Sequence, residues 1–149
     1  MKLYPDIKGF IELDRIPSST SQQKGVQIVH GRPHFYTKKT VQAAKDLYAV
    51  FLKGYRPPEP MKGPIRVRVS FYYPAKRPHK EGEPKTTRGD LDNLGKAFLD
   101  VMTDLGFWID DAQIAELILT KSYARTCGIY FEAEELRGYI LEKEKEGGL

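Results

Sequence analysis

A chain of 149 residues, 40% of them hydrophobic, is long enough for one domain with a real apolar core and needs no disulfide or metal staple to hold it. Its 24 basic and 20 acidic side chains leave a formal net charge of +4, a weak pull toward polyanionic partners. The one cysteine, Cys127, excludes an intrachain disulfide and a multi-cysteine zinc site, and the glycines and prolines are dispersed instead of gathered into a repeat. No apolar run approaches membrane-spanning length, and Met1 to Asp6 meets charge and proline before any run long enough for secretion. A soluble cytoplasmic protein with no membrane partner is expected.

Along the chain, Ile11 and Leu13 lie on one side of a strand predicted over residues 7–14. The polar run from Pro17 to Gly25 is a connector or a phosphate-facing loop. Val26–Val29 and Phe35–Tyr36 flank His30-Gly31-Arg32-Pro33-His34, a hairpin with a basic tip. Its two histidines straddle a glycine and a proline instead of sharing a helical face, which favours a surface turn over a zinc site. From Thr37, a candidate N-cap, Val41, Ala44, Tyr48 and Phe51 recur at helical spacing, and this stripe reads as core packing. Gly54 and the proline-rich run from Arg56 to Pro60 end that helix.

Pro64 to Tyr73 alternates most regularly. Ile65, Val67, Val69, Phe71 and Tyr73 form a core face, while Arg66 and Arg68 share a polar face open to solvent or to DNA. The segment 74–89 is a basic loop expected to be flexible without a ligand. It carries Lys76, Arg77, Lys80, Lys85 and Arg88 to the threshold of Asp90 and suits a clamp on backbone phosphates. The next helix buries Leu91, Leu94, Phe98, Val101 and Leu105, which gathers Asp92, Lys96 and Asp100 elsewhere on its surface, and Gly106 stops it. Ile114–Tyr123 and Cys127–Ala133 read as a terminal hairpin with Lys121 and Arg125 near its tip, where they join the basic loop as candidate DNA contacts, followed by a possible tail helix over 134–146. The expected fold class is therefore α+β (mixed α/β): one compact domain over 1–149 with a small mixed sheet, two main helices and a terminal hairpin.

Carboxylates crowd both ends of the second helix. Asp90 and Asp92 sit where loop becomes helix, and Asp110-Asp111 follow its end. Together they suit a hard divalent cation, which takes one or two carboxylates and completes its shell with water and phosphate oxygens. Lys96, one turn beyond Asp92, would be a fixed positive charge beside such a site. Each residue also has a plain structural explanation: Asp90 as N-cap, Asp92 with Lys96 as an i,i+4 pair, Asp110 and Asp111 as turn formers. Spacing alone leaves both readings open.

The block Asp90-Leu91-Asp92-Asn93-Leu94-x-Lys96-Ala97, then Asp100, Thr103 and Gly106-Phe107-Trp108-x-Asp110-Asp111-Ala112-Gln113, resembles the signature of the RusA family of Holliday-junction resolvases. The early strand, the Pro17-Ser18 loop, the first helix and the terminal hairpin resemble that family in order and length. The resemblance implies a small homodimeric endonuclease, often encoded by phages or prophages, that uses Mg²⁺ or Mn²⁺ to place paired nicks in branched DNA, the four-way junction. It puts the metal ligands on Asp90, Asp92 and Asp111, the essential lysine on Lys96, and leaves Asp110 to the turn. Two departures stand out. Gly89 separates Arg88 from Asp90 where relatives commonly set a basic residue, and Ser19 and Thr20 occupy an early loop where relatives often carry Asn. The alternative function is a structure-selective DNA-binding protein with weak or no catalysis.

Overall fold

The computed structural model describes residues 6–18, 24–37 and 39–137, with the side chains of 24–29 and 33–39 excepted. In chain order these residues form β1 (Ile7–Glu12), β2 (Lys24–Val29), β3 (Arg32–Thr37), α1 (Lys39–Leu52), β4 (Ile65–Pro74), α2 (Leu91–Asp104), β5 (Ile114–Ala124) and β6 (Gly128–Glu135). β2 and β3 make a separate hairpin that turns at His30 and Gly31, both at positive φ (50° and 76°), the twist a two-residue turn favours. The other strands form one mixed sheet in the order β1-β6-β4-β5, antiparallel except for the parallel β4–β5 pair. This is the α+β class the sequence implies.

The regular alternation of β4 explains its central place. Ile65, Val67, Val69 and Phe71 are all fully buried beneath the two helices. Burial on that scale needs neighbours on both edges, which β5 and β6 supply. On the opposite face Arg66 pairs with Glu116 and Glu134, and Arg68 with Glu132, so these arginines form a cross-strand ionic ladder. The helices pack together on the apolar face. Phe98 of α2 is the hub, with its ring 5.1 Å from Tyr48 of α1, 6.3 Å from Phe71 of β4 and 5.8 Å from Phe131 of β6.

Several expectations need correction. β5 and β6 are not a hairpin, because β4 lies between them and bonds to both. Glu134 and Glu135 belong to β6, and the remainder of the expected tail helix, from 138 onward, lies outside the described residues, as do Ser19 and Thr20. Thr37 ends β3 instead of capping α1, which begins at Lys39. The buried stripe of α1 closes on Leu52, leaving Phe51 40% exposed.

The segment before β4 is tied down from both sides. Glu135 accepts the main-chain N–H groups of Lys62 at 2.8 Å and Gly63 at 3.0 Å, and the Gly63 bond is the main reason its carboxyl lies below the ordinary glutamate range. A carboxyl depressed in this way stabilises the fold above its unfolded pKa of about 4.3, and the gain is lost as pH falls through the folded value. Melting temperature against pH should therefore show a shallower acid limb below about pH 4.3 in Glu135→Gln, and an unchanged limb would contradict the assignment. Phe98→Ala should cost about 3–5 kcal/mol, read as a lower urea midpoint with the slope preserved.

Candidate active site

The site is built around α2. Asp90 stands at its N-cap in extended conformation (φ −63°, ψ 122°), and its main-chain carbonyl accepts the Leu94 N–H at 3.0 Å, but its carboxylate makes no capping bond. The apolar face of α2, including Leu94, Phe98, Val101 and Met102, is buried in the core. That leaves Asp92, Lys96 and Asp100 on the flank nearest β5. Gly95 brings the two elements close, since a Cβ there would lie 2.4 Å from Leu119 Cδ1.

At the far end, Gly106 N–H donates to Thr103 O and Phe107 N–H to Met102 O, a Schellman closure that turns the chain sharply. Phe107 and Trp108 are buried and anchor the turn, with the Trp108 indole N–H donating to Thr103 Oγ1 at 2.8 Å. Ile109 is 65% exposed and takes no part in that anchor. Asp110 then caps the short 3₁₀ turn Asp111–Gln113. Its carboxylate accepts from Ala112 N–H at 2.9 Å, the main cause of a pKa below the ordinary aspartate range.

Gln113 completes this capping box and does more. Its Oε1 accepts the N–H groups of Ile109 (2.8 Å) and Asp110 (2.9 Å), and its Nε2 donates to the carbonyls of Met61 (2.9 Å) and Gly63 (3.0 Å). The Asp110–Asp111 turn is thereby stapled to the segment that feeds β4. The sequence reading did not give Gln113 this role, although an acidic N-cap followed three residues later by Gln is a capping-box signal.

Asp92, Lys96 and Asp100 of α2, together with Asp111, line one open depression of about 360 Å³ whose apolar wall includes Leu117 and Leu119 of β5. Asp90 is not part of that lining. Asp100 is bracketed by two lysines, Lys45 of α1 at 3.2 Å and Lys96 at 3.7 Å. Asp92 does not pair with Lys96, and none of Asp90, Asp92 and Asp111 forms an ion pair among the described residues. Two plain explanations, a side-chain cap by Asp90 and an Asp92–Lys96 pair, are therefore not realised. Asp110 does serve the turn. Among the described residues no three His, Cys, Asp or Glu side chains are close enough together to hold one ion. The depression brings Asp92, Lys96 and Asp111 together, with Asp90 at the adjoining helix start.

The basic loop runs along the free edge of β5. Gly82 N–H donates to Tyr123 O, Tyr123 N–H to Glu83 O and Lys85 N–H to Lys121 O. These bonds cover an otherwise open sheet edge. Lys76, Arg77, Lys80, Arg88 and Arg125 are exposed near that end of the strand. Lys85 is half-buried, with its ammonium 4.7 Å from the centre of the Tyr73 ring. Lys121 turns inward, its Nζ donating to the carbonyls of Thr87 and Gly89, both at 2.7 Å.

Residues 16–134 match the family model described as Endodeoxyribonuclease RusA. The crossover junction endodeoxyribonuclease rusA of Lactococcus phage r1t is 38% identical over 112 residues, spanning 74% of this chain and 83% of the relative. Proteins of the same description from Enterobacteria phage 82 and from Escherichia coli K12 are 33% and 32% identical over 92 residues, spanning 62% of this chain and 68% of each relative. The matched segment contains α2, the depression beside it and the whole basic loop. The chain belongs to the RusA family of endodeoxyribonucleases.

Proposed function

We propose that this endodeoxyribonuclease resolves four-way DNA junctions by paired nicks that leave 5′-phosphates, using Mg²⁺, or Mn²⁺ in its place, held by Asp92 and Asp111 with Asp90 joining from the start of α2. The observation that carries the reading is the depression itself: Asp92 and Asp111, from separate elements and without an ion pair among the described residues, share it with Lys96. Oxygen donors alone suit a hard cation, which needs one or two carboxylates and takes its other ligands from water and substrate phosphate. Bound there, a divalent ion supplies an activated water and positive charge for the phosphodiester transition state.

Lys96 adds a fixed ammonium on the same flank. Because Asp100 is shared with Lys45, the charge of Lys96 is only partly offset and remains to meet a phosphate oxygen. Lys76, Arg77, Lys80, Arg88 and Arg125 grip the DNA backbone, positioning the junction without reading its sequence. A homodimer supplies the second active site, since a two-fold symmetric junction requires two coordinated cuts.

With a labelled four-way junction and Mg²⁺, the expected products are symmetric nicks bearing 5′-phosphates. Asp92→Asn should lower the rate by about 10³-fold while junction affinity in EDTA is retained. Absence of cleavage with any divalent ion would sink the catalytic proposal. Gln113→Met releases the turn that carries Asp111 and should lower single-turnover cleavage by about 10–100-fold, the range seen when a group supporting a metal ligand is lost. Cleavage within twofold of wild type, measured well below the melting temperature, would show that the staple is not needed for the site.

A further inference from the structure

Asp100 holds two lysines unequally. Its Oδ2 accepts a hydrogen bond from Lys45 Nζ of α1 at 3.2 Å, while Lys96 Nζ stands 3.7 Å from Oδ1, beyond hydrogen-bond reach. Proximity in the chain would favour the other partner, because Lys96 lies four residues from Asp100 on the same helix and Lys45 is 55 residues away. Two features work against the local pair. A lysine four residues before a carboxylate is the weaker order for such a pair in a helix. The Lys45 and Asp100 side chains are also only 24% and 26% exposed, against 59% for Lys96, so water screens their attraction less. Lys45 is not part of the depression's lining, and its ion pair with Asp100 is what connects it to that site.

We propose that Lys45 is a positioning residue that keeps Lys96 available to substrate. By taking the Asp100 carboxylate for itself, it leaves the Lys96 ammonium beside the depression with no hydrogen bond to that carboxylate. Without Lys45, the charge of Asp100 would face Lys96 alone among the described cations, and Lys96 would close on it. The phosphate would then meet a neutralised lysine. The inference rests on the reading above, in which Lys96 faces a phosphate oxygen, and it gives α1 a part in the reaction besides the packing of its buried stripe.

Three roles for Lys45 predict different results. A phosphate contact would weaken junction binding in EDTA and reduce the salt slope by about one on removal. A purely structural ion pair would lower the urea midpoint and leave the folded protein's cleavage rate alone. The proposed role would slow cleavage only while Asp100 carries its charge. For Lys45→Met, single-turnover cleavage at saturating protein should fall about 10-fold, less than the ~10²–10³-fold lost when a donor to the transition state is removed outright. Junction affinity in EDTA should stay within about twofold of wild type with an unaltered salt slope. In an Asp100→Asn background the same substitution should change the rate by less than about twofold. Lys45→Gln, which keeps a donor without the charge, carries the test if Lys45→Met does not fold. A crystal structure of the folded variant should show Lys96 Nζ moved from 3.7 Å to within about 3.0 Å of Asp100. Equal losses in the two backgrounds, a salt slope reduced by about one, or Lys96 left where it stands overturns the proposal. A wild-type protein that cuts no junction defeats the resolvase reading, and the Lys96–Asp100 distance in the variant crystal then decides whether Lys45 holds the two apart.

Discussion

The contact on which the rest of the structure depends is the packing of Phe98 against Tyr48, Phe71 and Phe131. It joins α2 to the other helix and to the two inner strands of the sheet, so it fixes both the height and the rotation of α2. With Phe98 turned inward, helical spacing leaves Asp92, Lys96 and Asp100 no place but the flank. Gly95 then lets that flank close on Leu119. The acidic depression is thus a consequence of core packing, and its side chains need no contact of their own to be brought there.

Around this frame the chain uses polar side chains as staples on main-chain groups. Gln113 holds the turn of Asp111 against residues 61–63, Glu135 holds those residues from the sheet side, and Lys121 holds the approach to Asp90. Hydrogen bonds with a charged donor or acceptor are stronger than neutral ones and well suited to fixing loops that have little apolar surface. The carboxylates of Asp90, Asp92 and Asp111 stand apart from these staples and from every ion pair among the described residues.

Local periodicity made α2, β4 and the central helix stripe legible in the sequence, because each buries one face and alternates in register with its period. Pairing was less legible. The runs that became β5 and β6 are close in sequence and each favours a strand, which resembles a hairpin; only the long-range demand of β4 for two neighbours separates them. β5 takes the sheet edge, and Leu117 there is 45% exposed. Charge was legible as type but not as direction: Lys121 and Arg125 look equivalent in sequence, yet one turns into the fold and the other outward. The motif grouped Asp90, Asp92, Lys96 and Asp111. It could not reveal that Asp90 lies outside the depression's lining or that Asp100 is held between two lysines.

The central claim is that the ends of α2 assemble a cation site. Crystals of the protein soaked in Mn²⁺ and measured at the manganese absorption edge test it most directly. The account predicts an anomalous peak in the depression between α2 and β5, within ligand distance of Asp92 and Asp111. Anomalous density confined to other places, or none at Mn²⁺ concentrations that support cleavage, would contradict it.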